Sequence, residues 1–275
     1  MSARPDLTGA ARGNMIARVI LMSKMIGILG GLGPKAGEGL HAAILGNTRA
    51  ICDPDHLQIL LYTNPHIPDR TDFLLGRISE NPAGEMLRSL QLLVQFGAGV
   101  CCVPCNTATC PPIWDVVEEG FAQFANGAEL LNIVHLTAAF VTRTHPSVSH
   151  VGILATDGTI QTEVYQRALG HHNVKAVLPT ATNQKLVQGA IYHPEWGIKA
   201  KSAPVTQQAR DALEAAALRL IADGAEAVIL GCTEIPLAFD DTHLKGIPLI
   251  NSTAVLAREC IRRAAGEDKL VPLKR

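Results

Sequence analysis

Aromatic residues make up only 4% of this chain and charged residues 18%, and the charges nearly cancel at a formal net charge of −1. There is no long basic run, so the electrostatic footprint that nucleic acid or an anionic membrane requires, clustered Lys and Arg, is missing. Long apolar runs are missing too. The strongest early stretch, Val19-Ile20-Leu21-Met22, is too short for a membrane span or a secretory core. Zinc would want a second compact ligand pair beside Cys102-Val103-Pro104-Cys105, and the chain supplies only an isolated Cys232 and scattered histidines. Seven cysteines without a secretory pattern argue for reduced thiols in a cytoplasmic protein, not a disulfide framework. The expected partner is therefore a small molecule, with no nucleic acid and no membrane.

What is present is a chain of 275 residues, 47% hydrophobic, long enough for a sizeable core in one large or two medium domains. Residues 1–24, with Arg4, Arg12 and Arg18, read as a disordered extension, an organellar transit peptide being the second reading. From there on, Val-, Ile- and Leu-rich runs recur at 25–30, 57–62, 99–103, 131–135, 150–154, 174–178, 225–230 and 248–250. Helical patterns separate most of them, most clearly at 36–51, 84–96, 159–169 and 206–223. Such alternation indicates βαβ units and parallel sheets covered by helices on both faces. Ligands in these sheets bind beyond the carboxyl ends of the strands. That rule directs attention to the loops at 31–34, 63–70, 105–107, 156–159 and 232–234, where hydroxyls, amides and two thiols gather.

The first of these loops, Gly31-Leu32-Gly33-Pro34, approximates a dinucleotide fingerprint. The second strand, however, ends Leu61-Tyr62-Thr63-Asn64, without the acidic residue that would hold the ribose hydroxyls. A tight turn with Pro34 opening the next helix accounts for it.

The chain repeats itself. The segment Phe-Gly-Ala-Gly-Val-Cys-Cys-Val-Pro-Cys-Asn-Thr, ending at Thr107, aligns without gaps with Asp-Gly-Ala-Glu-Ala-Val-Ile-Leu-Gly-Cys-Thr-Glu, ending at Glu234. Cys105 falls on Cys232, and Gly97 on Gly224, each 127 residues apart. In step with this, Gly27-Ile28-Leu29 matches Gly152-Ile153-Leu154 at an offset of 125. Two related α/β halves, brought together about a pseudo-two-fold axis, would carry the strand-end cysteines toward one shared cleft. A thiol on each side of a bound carbon is the equipment for adding and removing a proton on opposite faces. Cys52 and Cys260 read as small buried hydrophobes. Cys105 and Cys232 are set apart by their matched strand-end positions and by the polar residues after them, Asn106-Thr107 and Thr233-Glu234, which suit a thiol of lowered pKa.

Five motifs in order complete the pattern: Gly-Ile-Leu-Gly-Gly-Leu-Gly-Pro from Gly27, Asn64-Pro65-His66-Ile67-Pro68-Asp69-Arg70, Pro104-Cys105-Asn106-Thr107-Ala108, Ala155-Thr156-Asp157-Gly158-Thr159, and Gly231-Cys232-Thr233-Glu234. Together they resemble the aspartate/glutamate racemase family, closest to its aspartate racemase branch, from about Met25 to the C-terminus. The resemblance implies two Rossmann-like domains, here 25–131 plus 247–275 and 132–246, with the active site in the cleft between them. It also implies a homodimer and a two-base mechanism that needs no cofactor or metal. By motif, Cys105 and Cys232 would be the acid/base pair, and Asn106, Thr107, Thr156, Thr233 and Glu234 would surround the amino acid. Arg70 would hold the side-chain carboxylate, a task that suits a planar guanidinium. Lys199 would be a second basic contact, although Pro194-Glu195-Trp196 before it looks like an insertion.

The expected activity is inversion of the α-carbon of an acidic amino acid, aspartate foremost. Thr63 and Thr109 stand where family members often carry Asn and His, near the expected cleft, and leave open glutamate, a sulfonated aspartate analogue or a broader range. Maleate isomerase and decarboxylase chemistry within the same superfamily are alternatives among enzymes. A non-catalytic two-lobed binding protein is the alternative outside them.

Overall fold

A computed structural model describes residues 23–272. The expectation for the N-terminal extension falls, up to residue 22, outside the described residues. The first repeat runs β1 (Met25–Gly30), α1 (Pro34–Asn47), β2 (Ile59–Thr63), α2 (Arg70–Leu74), α3 (Ala83–Gln95), β3 (Ala98–Cys102), α4 (Pro111–Ala122) and β4 (Glu129–Leu131). Next come α5 (Ile133–Thr144), β5 (His150–Leu154), α6 (Asp157–Gln161), α7 (Val164–Gly170), β6 (Lys175–Val177), α8 (Ala181–Tyr192), α9 (Gln207–Ala222) and β7 (Ala227–Leu230). The chain closes with β8 (His243–Leu244), β9 (Ile247–Asn251) and α10 (Ser252–Ala265).

Two sheets form, ordered β2-β1-β3-β4 and β6-β5-β7-β9-β8. Every pairing is parallel except β8 with β9. The first four strands of the second sheet thus repeat the order of the first, which gives two α/β domains with parallel sheets.

The repeated Gly-Ala pairs have a common physical cause. Gly97 and Gly224 both adopt positive φ, +95° and +100°, where side chains are strained. The alanine that follows then packs onto a glycine of the neighbouring strand: a Cβ on Gly27 would lie 2.7 Å from that of Ala98, and one on Gly152 3.1 Å from that of Ala225. Each repeat needs the same pair to bring its helix and its two central strands together.

Three segments differ from the expectation. The apolar run 131–135 is not one strand: β4 ends at Leu131, and Asn132 caps α5 by accepting from the backbone N–H of Val134 and His135. The helix expected over 159–169 is broken at Glu163, which sits at φ +57°. The segment 247–275, expected whole with the first domain, divides. Its strand β9 pairs with β7 in the second sheet, whereas α10 packs against α1, α5, β1 and β3.

Helix α10 is therefore the seam. One apolar cluster contains Ile26, Ile28 and Val100 of the first sheet, Val151, Ile153 and Ile229 of the second, and Val255, Leu256 and Ile261 of α10. A smaller cluster lies on the outer face of each sheet. Because the two sheets share a core, their carboxyl edges are fixed relative to each other.

Asn251 starts α10 by accepting from the N–H groups of Thr253 and Ala254, at 3.0 and 3.1 Å. Loss of such a cap costs about 1 kcal/mol. Asn251→Ala is expected to lower the unfolding free energy by that amount, read as a lower urea midpoint with an unchanged slope.

Candidate active site

Both carboxyl edges open on one small cavity. Cys105, three residues past β3, and Cys232, two past β7, both line it. So do Asn106, Thr107, Thr156, Lys199, Thr233, Glu234 and Arg70, so that every expected site residue borders the same space. Cys102, the other half of the C-x-x-C pattern, points instead into the core, 3.5 Å from the carbonyl of Gly27.

Hydrogen bonds from both domains position these groups. The Asn106 amide spans Tyr165, whose hydroxyl donates to Oδ1 at 2.6 Å, and Ser252, which accepts from Nδ2 at 3.3 Å. Thr233 Oγ1 donates across the cleft to the carbonyl of Pro104 at 3.0 Å. Thr107, Thr156 and Thr159 form a closed triangle of hydroxyls, each pair 3.0 Å apart, with Thr107 from one domain and two from the other. Thr156 also caps α6, so its backbone position is set by the helix it begins.

Arg70 is 6% exposed. Its Nη1 donates to the carbonyls of Ile67 and Pro68, and its Nε has no partner among the described residues. Burial pulls this guanidinium down, but Cys105, Asp69 and Tyr192 face it and hold it above its ordinary value. It is a fixed cation with a donor to spare.

On the opposite side Lys199 Nζ donates to Glu234 Oε1 at 2.9 Å, and Cys232 Sγ donates to Oε2 at 3.1 Å. Burial works against the Glu234 carboxylate, yet Lys199 and the two hydrogen bonds hold its pKa below the usual carboxylate range. The ammonium is raised in turn: burial opposes it, and Glu234 more than compensates. Cys232 goes up well above an ordinary thiol, first through burial and then through the adjacent Glu234 charge, only partly relieved by Lys199. At neutral pH this cysteine is a thiol with its proton directed at Glu234.

Sequence reasoning missed the Thr159 corner of the triangle and also Tyr192. Thr159 closes the Ala155–Thr159 motif, three residues after Thr156. Tyr192 ends α8, lines the cavity and reaches across to Asp69 and Thr71 at 3.3 and 3.2 Å; no local pattern marks it. Thr63 and Thr109, expected near the cleft, do not line the cavity. Thr63 is exposed at the end of β2, and Thr109 is buried with its hydroxyl on the carbonyl of Asn106 at 2.8 Å. Thr109 thereby fastens the loop that carries Asn106.

Residues 29–260 match the Asp/Glu/hydantoin racemase family. The chain belongs to that family. Its structure is similar to that of an aspartate racemase from Picrophilus torridus, with a TM-score of 0.73 and 28% identity over 88% of this chain and 94% of that one. It is 27% identical over 246 residues to a broad-specificity amino-acid racemase of Bacillus subtilis, covering 86% of this chain and 96% of the relative. It is also 27% identical over 201 residues to a glutamate racemase of Herpetosiphon aurantiacus, covering 72% of each. Both cavity cysteines and the whole Lys199–Glu234 pair lie inside the region matched to the racemase family.

The electrostatics of Cys232 are open to direct measurement. Glu234→Gln removes the charge that raises this thiol and leaves Lys199, which lowers it. The pH midpoint of Cys232 alkylation by iodoacetamide, followed by peptide mass spectrometry, is expected to move down by about one unit or more. An unchanged midpoint would show that burial alone sets it.

Proposed function

We propose that this protein racemises an acidic amino acid, aspartate foremost, by two-base 1,1-proton transfer between Cys105 and Cys232 without a cofactor. The observation that carries the reading is that two cysteines at matched strand ends of two repeats border one cavity. Removing an α-proton leaves a carbanion whose charge spreads into the α-carboxylate, so the base must be close and aimed, and the carboxylate must meet hydrogen-bond donors. Cys105 as thiolate takes the proton from one face while Cys232, the protonated partner, supplies one to the other. For the opposite enantiomer the roles exchange.

The threonine triangle suits the α-carboxylate. Three hydroxyls bonded in a ring spend their protons on one another, and a carboxylate oxygen gives them a stronger, charged acceptor. Arg70, with its unpartnered Nε, and Lys199 supply positive charge for the side-chain carboxylate. That pairing favours an acidic side chain. The similarity to the broad-specificity racemase of Bacillus and to the glutamate racemase of Herpetosiphon defines the competing substrates to include.

Incubation in D₂O with each enantiomer of aspartate, glutamate, cysteate and alanine, followed by NMR and chiral analysis, tests the reading. Loss of the α-proton signal and of optical purity is expected for aspartate. A protein that binds amino acids yet exchanges none of them is a binder. Cys105→Ala and Cys232→Ala are each expected to reduce racemisation on the order of 10³-fold. Full activity in either one would refute the two-base assignment.

Arg70→Ala separates recognition from chemistry. It is expected to raise KM for aspartate about tenfold or more, the scale of a lost charged hydrogen bond, with a smaller effect on alanine. Equal effects on both substrates would place Arg70 outside side-chain recognition.

A further inference from the structure

An outer cleft leads to the inner cavity, and three charged side chains line both: Arg70, Lys199 and Glu234. At that boundary Glu234 is doubly engaged, one carboxylate oxygen on the Lys199 ammonium and the other on the Cys232 thiol. Gly33 of the first domain backs the pair closely, since a Cβ there would stand 2.2 Å from Glu234 Oε1 and 3.4 Å from Lys199 Nζ. The pair therefore bridges the passage between the domains. Its side chains are only 22% and 4% exposed for Lys199 and Glu234. Buried charges of this kind are tolerated only while each keeps a partner. Breaking the pair outright is costly; exchanging partners is not.

We infer that Glu234 is an internal stand-in for a ligand carboxylate, pairing with Lys199 until the side-chain carboxylate of an acidic amino acid takes that ammonium and Glu234 turns to the ligand's own ammonium group. The inference deepens the racemase reading and rests on it for the identity of the ligand. Arg70 and Lys199 bring two positive groups and Glu234 one negative, Lys35 and Asp69 add one of each sign on the outer cleft, and an acidic amino acid brings two carboxylates and one ammonium. After the exchange every buried charge again has a partner. An amino acid with a neutral side chain engages Glu234 but leaves Lys199 unpaired, which disfavours it by about tenfold or more.

The same exchange acts on the chemistry. Cys232 Sγ donates its proton to Glu234 Oε2. Once Glu234 turns to the ammonium group, the S–H is released toward the α-carbon. Glu234 is thus a positioning and specificity residue that holds the thiol until a ligand ammonium draws its carboxylate away, and Lys199 adds the preference for an acidic side chain.

Succinate and aspartate distinguish this from a structural role, because succinate offers two carboxylates and no ammonium. Calorimetry is run with both ligands on the full chain as wild type, Glu234→Gln, Glu234→Ala and Lys199→Met. Either Glu234 variant is expected to bind succinate about tenfold more tightly and aspartate about tenfold more weakly, whereas Lys199→Met weakens both. A loss of fold or packing would move both ligands the same way. Glu234 variants that shift the two ligands in the same direction, in a protein whose wild type exchanges α-protons in D₂O, overturn the partner exchange alone. A wild type that exchanges no α-proton of any amino acid overturns the racemase reading, while opposite shifts in the calorimetry still uphold the exchange.

Discussion

The site depends on the apolar core that the two sheets share. Two thiols can serve one carbon only if their separation is held to a fraction of an ångström, and strand-end loops on independently moving domains would not hold it. Here β1, β3, β5 and β7 contribute to a single cluster closed by α10, so the carboxyl edges that bear Cys105 and Cys232 are set against each other by packing. The C-terminal segment achieves this by placing its strand in the second sheet and its helix against both domains, on α1, β1 and β3 of the first and α5 of the second. Ser252, the first residue of that helix, also accepts from Asn106, next to Cys105, and donates to the carbonyl of Leu230, two residues before Cys232. One helix N-terminus thus spans both thiol-bearing loops.

On that frame the two cysteines are equivalent in topology but not in surroundings. Cys105 faces a buried guanidinium, and Cys232 faces a buried carboxylate paired with an ammonium. A duplicated fold thus gives its two cysteines unequal surroundings, a carboxylate against Cys232 and a fixed cation next to Cys105. The asymmetry resides in side chains that the repeat does not duplicate: Arg70 lies on the short helix α2, and Lys199 on the segment between α8 and α9.

Much of this was legible in the sequence, for reasons that differ between residues. The strands showed as β-branched runs because buried parallel strands are apolar on both faces. The cysteines showed because duplication places like residues at like distances. The run 131–135 was misread because Ile133 and Val134 are equally at home in a buried helix, and only the cap by Asn132 decides. Register is likewise a tertiary matter, and nothing local assigns β9 to the second sheet. The individual members of the Lys199–Glu234–Cys232 chain were identified, but their connection was not. It joins residues 35 apart through the meeting of two loops. Tyr192 and the threonine triangle escaped for the same reason, since they are constellations made by docking and not by spacing.

The central claim is that one thiol removes the proton and the other delivers a different one. The isotope content of both enantiomers, measured early in a D₂O reaction starting from protiated L-aspartate, tests it most directly. With two bases, the D-aspartate formed is expected to carry solvent deuterium while recovered L-aspartate remains protiated. D-aspartate that retains the substrate's own hydrogen, or deuterium appearing in L-aspartate before any D-aspartate forms, would contradict it.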